Sequence, residues 1–190
     1  MKYPGGVIKK QNNPLSFSNR GMGLEDDINI TNEYYLNNDI AVIHKKPTPI
    51  TISKVDYYSK KEAMIIEAYF RTPSTTDYNG IYKGKYIDFE AKETKSKTSF
   101  PLSNIHPHQI NHLEKIVKHG GIGFIIVRFV SLNLNYLLLE KDLINFIKNN
   151  SKKSIPIDYF KNKAYLINEK YTPRLDYLKV IDSIYGGKYE

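Results

Sequence analysis

Ser74-Thr75-Thr76-Asp77-Tyr78-Asn79-Gly80-Ile81-Tyr82-Lys83-Gly84-Lys85-Tyr86-Ile87-Asp88-Phe89-Glu90-Ala91-Lys92 reads as a β-hairpin folded about a tight turn at Lys83-Gly84. Side chains alternate faces along a strand, so Asp88, Glu90 and Lys92 share one face while Phe89 and Ala91 take the other. Asp77 lies across the turn, about where its carboxylate meets that of Glu90. Two carboxylates at one point repel unless a cation joins them. A hard ion such as Mg²⁺ takes oxygen ligands and keeps positions for water and a phosphate oxygen. Lys92 is then placed to meet the attacking water or the charge developing on phosphorus, an arrangement suited to phosphodiester hydrolysis. Spacing alone leaves a second reading open, a surface hairpin of alternating charge. Glu93-Thr94-Lys95 also satisfies the local Glu-x-Lys pattern, but Glu93 falls on the opposite face from Glu90.

Moving towards the C-terminus, residues 107–118 carry Ile110, Leu113, Ile116 and Val117 as a helical stripe closed by Gly120-Gly121. Residues 124–130 and 136–139 read as central strands joined by an Asn-rich turn at 133–135. Residues 141–149 and 175–185 read as helices, the second following Thr172-Pro173. Towards the N-terminus, a helix is expected after Asn19, with Glu25, Asp26 and Asp27 in its early turns and Asn37-Asn38-Asp39 ending it. Residues 40–44 form a strand that Pro47-Thr48-Pro49 breaks. Residues 50–56 and 62–71 are further strands in a segment too long and polar for a simple turn, which projects from the body. Residues 1–18, with Pro4, Gly5, Gly6, Pro14 and three lysines, read as a flexible basic arm. The chain from 19 to 190 is then one α/β domain, a mixed sheet flanked by helices with one inserted projection.

The bulk properties fit this reading. A chain of 190 residues suits one domain. It has no cysteine, which excludes a disulfide framework, a thiol nucleophile and a Cys-based zinc site. No apolar run is long enough to span a bilayer, and the first residues lack a signal-peptide pattern, so a cytoplasmic protein is expected. Twenty-eight Lys and Arg against twenty Asp and Glu give a net charge of +8 and favour a polyanionic partner. Lys, Asn, Ile and Tyr all have A/T-rich codons, however, so composition alone leaves open a genomic origin for part of that excess.

Several residues are candidates for contact with DNA. Arg20, Arg71, Lys92, Lys95 and Lys97 suit phosphates, and Tyr69 and Phe70 offer planes for unstacked bases, with core packing as the alternative for both aromatics. The arm lysines Lys2, Lys9 and Lys10 suit nonspecific phosphate contact. His106, His108 and His112 suggest zinc, but their spacing does not bring them to one helix face. Gln109, at the edge of its helix stripe, reads on its own as a boundary polar residue.

Longer blocks carry a more specific signal. Asn19-Arg20-Gly21-Met22, Leu24-Glu25-Asp26-Asp27, Ile40-Ala41-Val42-Ile43-His44-Lys45-Lys46-Pro47-Thr48-Pro49, the stretch from Ser74 to Asn79, and Tyr86-Ile87-Asp88-Phe89-Glu90-Ala91-Lys92-Glu93-Thr94 occur in this order. Ser99-Phe100-Pro101-Leu102, His108-Gln109 and Pro173-Arg174-Leu175-Asp176-Tyr177 follow. Together they resemble the RecU family of Holliday junction resolvases over most of the chain from residue 19. The resemblance implies a restriction-endonuclease-like nuclease fold and a homodimer using Mg²⁺, with Mn²⁺ as substitute. It places metal binding on Thr75, Asp77, Glu90 and Gln109, a transition-state lysine on Lys92, and a supporting acid on Glu25. The projection at about 45–72 corresponds to a stalk that enters the centre of a four-way junction. Gly23 departs from the family pattern, which usually carries Thr there.

A resolvase makes paired symmetric nicks during recombination, DNA repair and chromosome segregation. A two-fold dimer suits that task, because it presents two copies of one site to a nearly two-fold-symmetric junction. Recombination proteins would be further partners. The rival expectations are a nuclease of the same fold cutting ordinary duplex DNA, and a noncatalytic junction-binding protein.

Overall fold

A computed structural model describes residues 23–57, 63–71 and 75–186. Helix α1 (Leu24–Asn37) leads into β1 (Val42–Lys45), then β2 (Ile50–Tyr57), β3 (Ala63–Phe70), β4 (Tyr78–Tyr82) and β5 (Lys85–Thr94). β6 (Ser99–Pro101), α2 (Pro107–Lys118), β7 (Ile122–Phe129) and β8 (Leu134–Leu139) follow. The chain continues through α3 (Glu140–Asn149), β9 (Ser154–Pro156), α4 (Ile157–Lys163), β10 (Tyr165–Ile167) and α5 (Tyr177–Tyr185). Among the described residues the main sheet has the order β1-β4-β5-β7-β8-β10, parallel between β5 and β7 and antiparallel elsewhere. It is a mixed sheet with helices on both faces, as expected.

Burial explains the central strands. Every residue of β7 is buried, as a strand covered on both sides requires. Phe124 and Ile126 face a core shared with Leu24 and Ile28 of α1 and Tyr177, Leu178 and Ile181 of α5. Ile125 and Val127 face a second core with Leu113, Leu143, Phe146 and Phe160 from the opposite helices. Phe89 stacks between Tyr78 and Phe124, with ring centroids 4.9 and 4.8 Å away, which commits that face of β5 to the first core. Asp88, Glu90 and Lys92 are thereby turned towards α2. Lys83 and Gly84 both have positive φ (47° and 73°), the conformation a two-residue hairpin turn needs. At Gly80 a Cβ would lie 2.1 Å from the Val42 carbonyl oxygen, so β1 and β4 approach as closely as they do because no side chain stands there.

Some expected boundaries move. The strand expected at 40–44 starts at Val42, because the Ile40 amide is still bonded to the Tyr35 carbonyl of α1 (2.9 Å). The last helix begins at Tyr177 rather than 175, since Leu175 bridges to Glu169 and gives its amide to Thr31 Oγ1 (2.9 Å). Strands β6, β9 and β10 and helix α4 were not expected. Three of them have only three residues and exist through their pairing partners. β2 and β3 pair with each other in a separate two-stranded sheet. Residues 1–22, including the arm and Arg20, lie outside the described residues. No helix among the described residues is long and apolar enough to cross a membrane.

Candidate active site

The register of the β4–β5 hairpin pairs Tyr78 with Phe89, so the next positions outward, Asp77 and Glu90, stand opposite each other. The Asp77 amide donates to Glu90 Oε2 (3.1 Å), and the Ala91 amide lies 3.4 Å from Asp77 Oδ2. Lys92 forms an ion pair with Glu90, and its Nζ lies 3.9 Å from Asp77 Oδ2. Gln109, on the first turn of α2, donates from Nε2 to Glu90 Oε1 (2.6 Å) and accepts the His106 amide on its own Oε1 (2.9 Å). Three of the expected residues, Asp77, Lys92 and Gln109, thus converge on the carboxylate of a fourth, Glu90. Gln109 presents its nitrogen to that carboxylate; its oxygen caps the helix.

Glu90 is wholly buried, whereas the side chains of Asp77 and Lys92 remain 28% and 25% exposed, so the site opens on the Asp77–Lys92 side. Burial, and then the charge of Asp77, push the Glu90 carboxyl up to about 7 against the opposing pull of Lys92. Two converging carboxylates with one ammonium between them retain net negative charge. That donor set fits a hard divalent cation. Among the described residues no group of three or more His, Cys, Asp or Glu side chains is gathered for a metal, so further ligands would come from Thr75, water or the substrate.

An open cleft of about 410 Å³ adjoins the site, lined by Gly23, Leu24, Glu25, Asp26, Ala91, Lys92 and Glu93. Glu25 stands at its edge, half-exposed and ion-paired with Lys45. Gly23 has no side-chain oxygen with which to cap α1. Asp26 meets the Gly23 amide at 3.3 Å instead, and Glu93 the Leu24 amide at 2.7 Å. Arg128 holds Glu93 at 3.7 Å and reaches Asp27 of α1 at 2.5 Å, tying the helix that carries Glu25 to β7.

Thr75 is half-buried on the approach to Asp77. Tyr69 and Phe70 are 58% and 84% exposed, so neither is core. Arg71 is exposed at the root of the β2–β3 pair, its amide on the Pro49 carbonyl (2.9 Å), and Lys95 and Lys97 are exposed beyond the end of β5. The three histidines do not converge on one point. His106 and His108 stack on each other, while His112 turns to Asp88 (3.2 Å).

The family model described as Recombination protein U matches residues 19–183. The chain belongs to the RecU family. Curated RecU relatives similar to it include one from Oceanobacillus iheyensis, 55% identical over 97% of this chain and 100% of its own length. Others come from Geobacillus kaustophilus (53%; 97% of this chain, 98% of its own) and Leuconostoc mesenteroides (54%; 92% and 86%), and all three are named Holliday junction resolvase RecU. Among solved structures, the chain is similar to Hjc, a Holliday junction resolvase from Archaeoglobus fulgidus. That likeness has 10% identity and a TM-score of 0.44 over 75% of this chain and 92% of that one. At that score it decides nothing about the fold, which the sheet order establishes directly.

In this RecU chain, Lys46, Thr76 and Asp88 have no role that the sequence pattern assigns. They form a polar cluster beside Glu90, with Asp88 and Thr76 buried and Lys46 partly so, and with Lys46 Nζ 2.8 Å from Asp88 Oδ2. The available signal was Asp88 sharing a strand face with Glu90. Lys46 had none, because its partner lies 42 residues away.

Proposed function

We propose that the protein is a divalent-metal-dependent endonuclease that resolves Holliday junctions by paired symmetric nicks, serving recombination, repair and chromosome segregation in the cytoplasm. The convergence of Asp77, Glu90, Lys92 and Gln109 carries this reading, because a protein that only binds DNA gains nothing from two acids directed at its polyanionic ligand. Asp77 and Glu90 would hold the cation, with Thr75 beside them. When bound, Mg²⁺, or Mn²⁺ in its place, polarises the scissile phosphate and makes water a stronger nucleophile at neutral pH. Gln109 and the Asp77 amide fix the orientation of Glu90, so that little reorganisation is needed as charge develops. Lys92 favours the ionised form of Glu90 against burial and Asp77, and it faces the open side, where its ammonium stabilises the charge developing on phosphorus. Glu25, across the cleft, helps to shape the approach.

DNA is held by groups outside this centre. Arg71, Lys95, Lys97 and Arg20 contact phosphates, while Tyr69 and Phe70 stack on bases unpaired at the junction centre. The β2–β3 pair acts as the stalk that enters the junction. Two copies of the chain form a two-fold dimer, and recombination proteins are further partners. The test incubates labelled four-way junctions and linear duplex with the protein in Mg²⁺ or in chelator. The expected result is symmetric nicking of junctions alone, dependent on metal and absent in Asp77→Ala and Glu90→Ala, both of which still bind. Equal cutting of duplex would reassign the substrate, and metal-saturated binding without cutting would remove the enzyme.

A further inference from the structure

Asp88 projects from the same face of β5 as Glu90 and is wholly buried, yet no step above uses it. Lys46 Nζ and the Tyr86 hydroxyl donate to its Oδ2 at 2.8 and 3.0 Å, and His112 Nε2 lies 3.2 Å from the same oxygen. The Thr76 hydroxyl donates to Oδ1. A buried carboxylate requires partners, which explains why polar groups surround it but not which ones. The partners lead to the active site. The Lys46 amide donates to the Asp77 carbonyl at 2.7 Å, while its ammonium also reaches Thr76 Oγ1 at 2.9 Å. Asp77 precedes the first residue of β4, so the hairpin ladder does not hold it. The grip on its main chain comes from Lys46 on one side and Glu90 on the other.

We propose that Lys46, Asp88 and Thr76 form a positioning clamp that keeps the Asp77 carboxylate in register with Glu90. This inference rests on the reading of Asp77 and Glu90 as the metal-binding pair. A metal site tolerates displacements of only about half an ångström in its ligands, and groups that orient ligands commonly set affinity over a 10- to 100-fold range. Loosening residues 76 and 77 therefore weakens the cation before it affects DNA binding. The competing role for Lys46, whose side chain is 18% exposed, is direct contact with a DNA phosphate.

The experiment uses the full chain with Lys46→Met, Lys46→Arg, Thr76→Val and the Lys46→Met/Thr76→Val pair. Mn²⁺ binding is measured by calorimetry without DNA, junction affinity in chelator, and single-turnover nicking across Mg²⁺ concentrations. Lys46→Met and Thr76→Val are each expected to weaken Mn²⁺ binding about 10- to 100-fold, with matching losses in nicking and junction affinity within about twofold. Lys46→Arg recovers part of the loss, and the double variant loses no more than the worse single, as members of one unit do. Unchanged Mn²⁺ affinity in both single variants overturns the clamp. So does a Lys46→Met protein with intact Mn²⁺ binding whose junction affinity and salt dependence fall by about one phosphate contact. If Lys46→Met does not fold, Thr76→Val, a change of similar shape, decides the outcome. Asp77→Ala serves as the parallel control. A wild-type protein that neither binds Mn²⁺ nor nicks removes the nuclease reading and this one with it. An active wild type, an inactive Asp77→Ala and unaltered clamp variants remove the clamp alone.

Discussion

Two antiparallel hairpins follow one another in the chain and differ in nearly everything except their ladders. In β4–β5, Tyr78, Phe89 and Glu90 have no exposed surface, and β5 is buried without a break from Ile87 to Ala91. In β2–β3, every residue of β3 is exposed, and Ile50, Ile52, Met64, Ile66 and Phe70 remain open to solvent in a two-stranded sheet interrupted by register shifts near Lys54. Two strands alone are marginal in water, and large apolar side chains left exposed mark a surface that meets something. The buried hairpin can hold ionisable groups in fixed relation because packing determines its register. The exposed hairpin lacks such packing on either face of β3.

That contrast can be broken most sharply at the acids. Asp77→Ala or Glu90→Ala should lower single-turnover nicking by at least about 10³-fold, the scale of losing a group that acts on developing charge, with junction binding in chelator retained. Residual nicking near wild type would move the chemistry elsewhere. Next in size, Phe89→Ala should cost roughly 3–5 kcal/mol of stability in a urea titration, since it opens a cavity between two stacked rings. Replacing residues 48–70 by a short Gly-Ser turn should leave the core cooperative on unfolding. The preference for junction over duplex should then fall about 10- to 100-fold, on the order of one or two lost stacking contacts worth roughly 1–3 kcal/mol each. Loss of the core along with the hairpin would show that the two regions are not separable.

A smaller effect comes from pH. The folded Glu90 carboxyl titrates at about 7 instead of 4.5, so the folded chain holds that proton more tightly than the unfolded chain does. The Glu90 contribution to metal-free stability is therefore greatest below about 4.5, declines as pH rises through 7, and is then constant. Melting curves in chelator should show wild type losing stability relative to Glu90→Gln across that window. A difference that does not change with pH removes burial and Asp77 as the cause. Smallest of all, Phe70→Ala should change stability by no more than about 0.5 kcal/mol, as exposed positions usually do, while weakening junction binding. A large loss of stability there would show that the outer hairpin is packed after all.

Much of this was legible in the order of residues. The two-residue turn at Lys83-Gly84, the alternation of Asp88, Glu90 and Lys92 with Phe89 and Ala91, and the stripe of α2 all follow from local geometry of period two or 3.6. Those rules suffice to bring Asp77 towards Glu90 and to mark the two strands that pair apart from the main sheet as β2 and β3. Local rules do not reach across the chain. Gln109 came to Glu90 because β7 pairs parallel to β5, which carries α2 over the polar face; by pattern alone it was an ordinary boundary residue. Lys46 meets Asp88, Glu93 caps α1, and Arg128 binds Asp27 through separations of 42, 69 and 101 residues. Which polar groups meet was decided by tertiary packing, because a buried charge must find a partner wherever the fold delivers one, and neither helical nor strand periodicity records that choice.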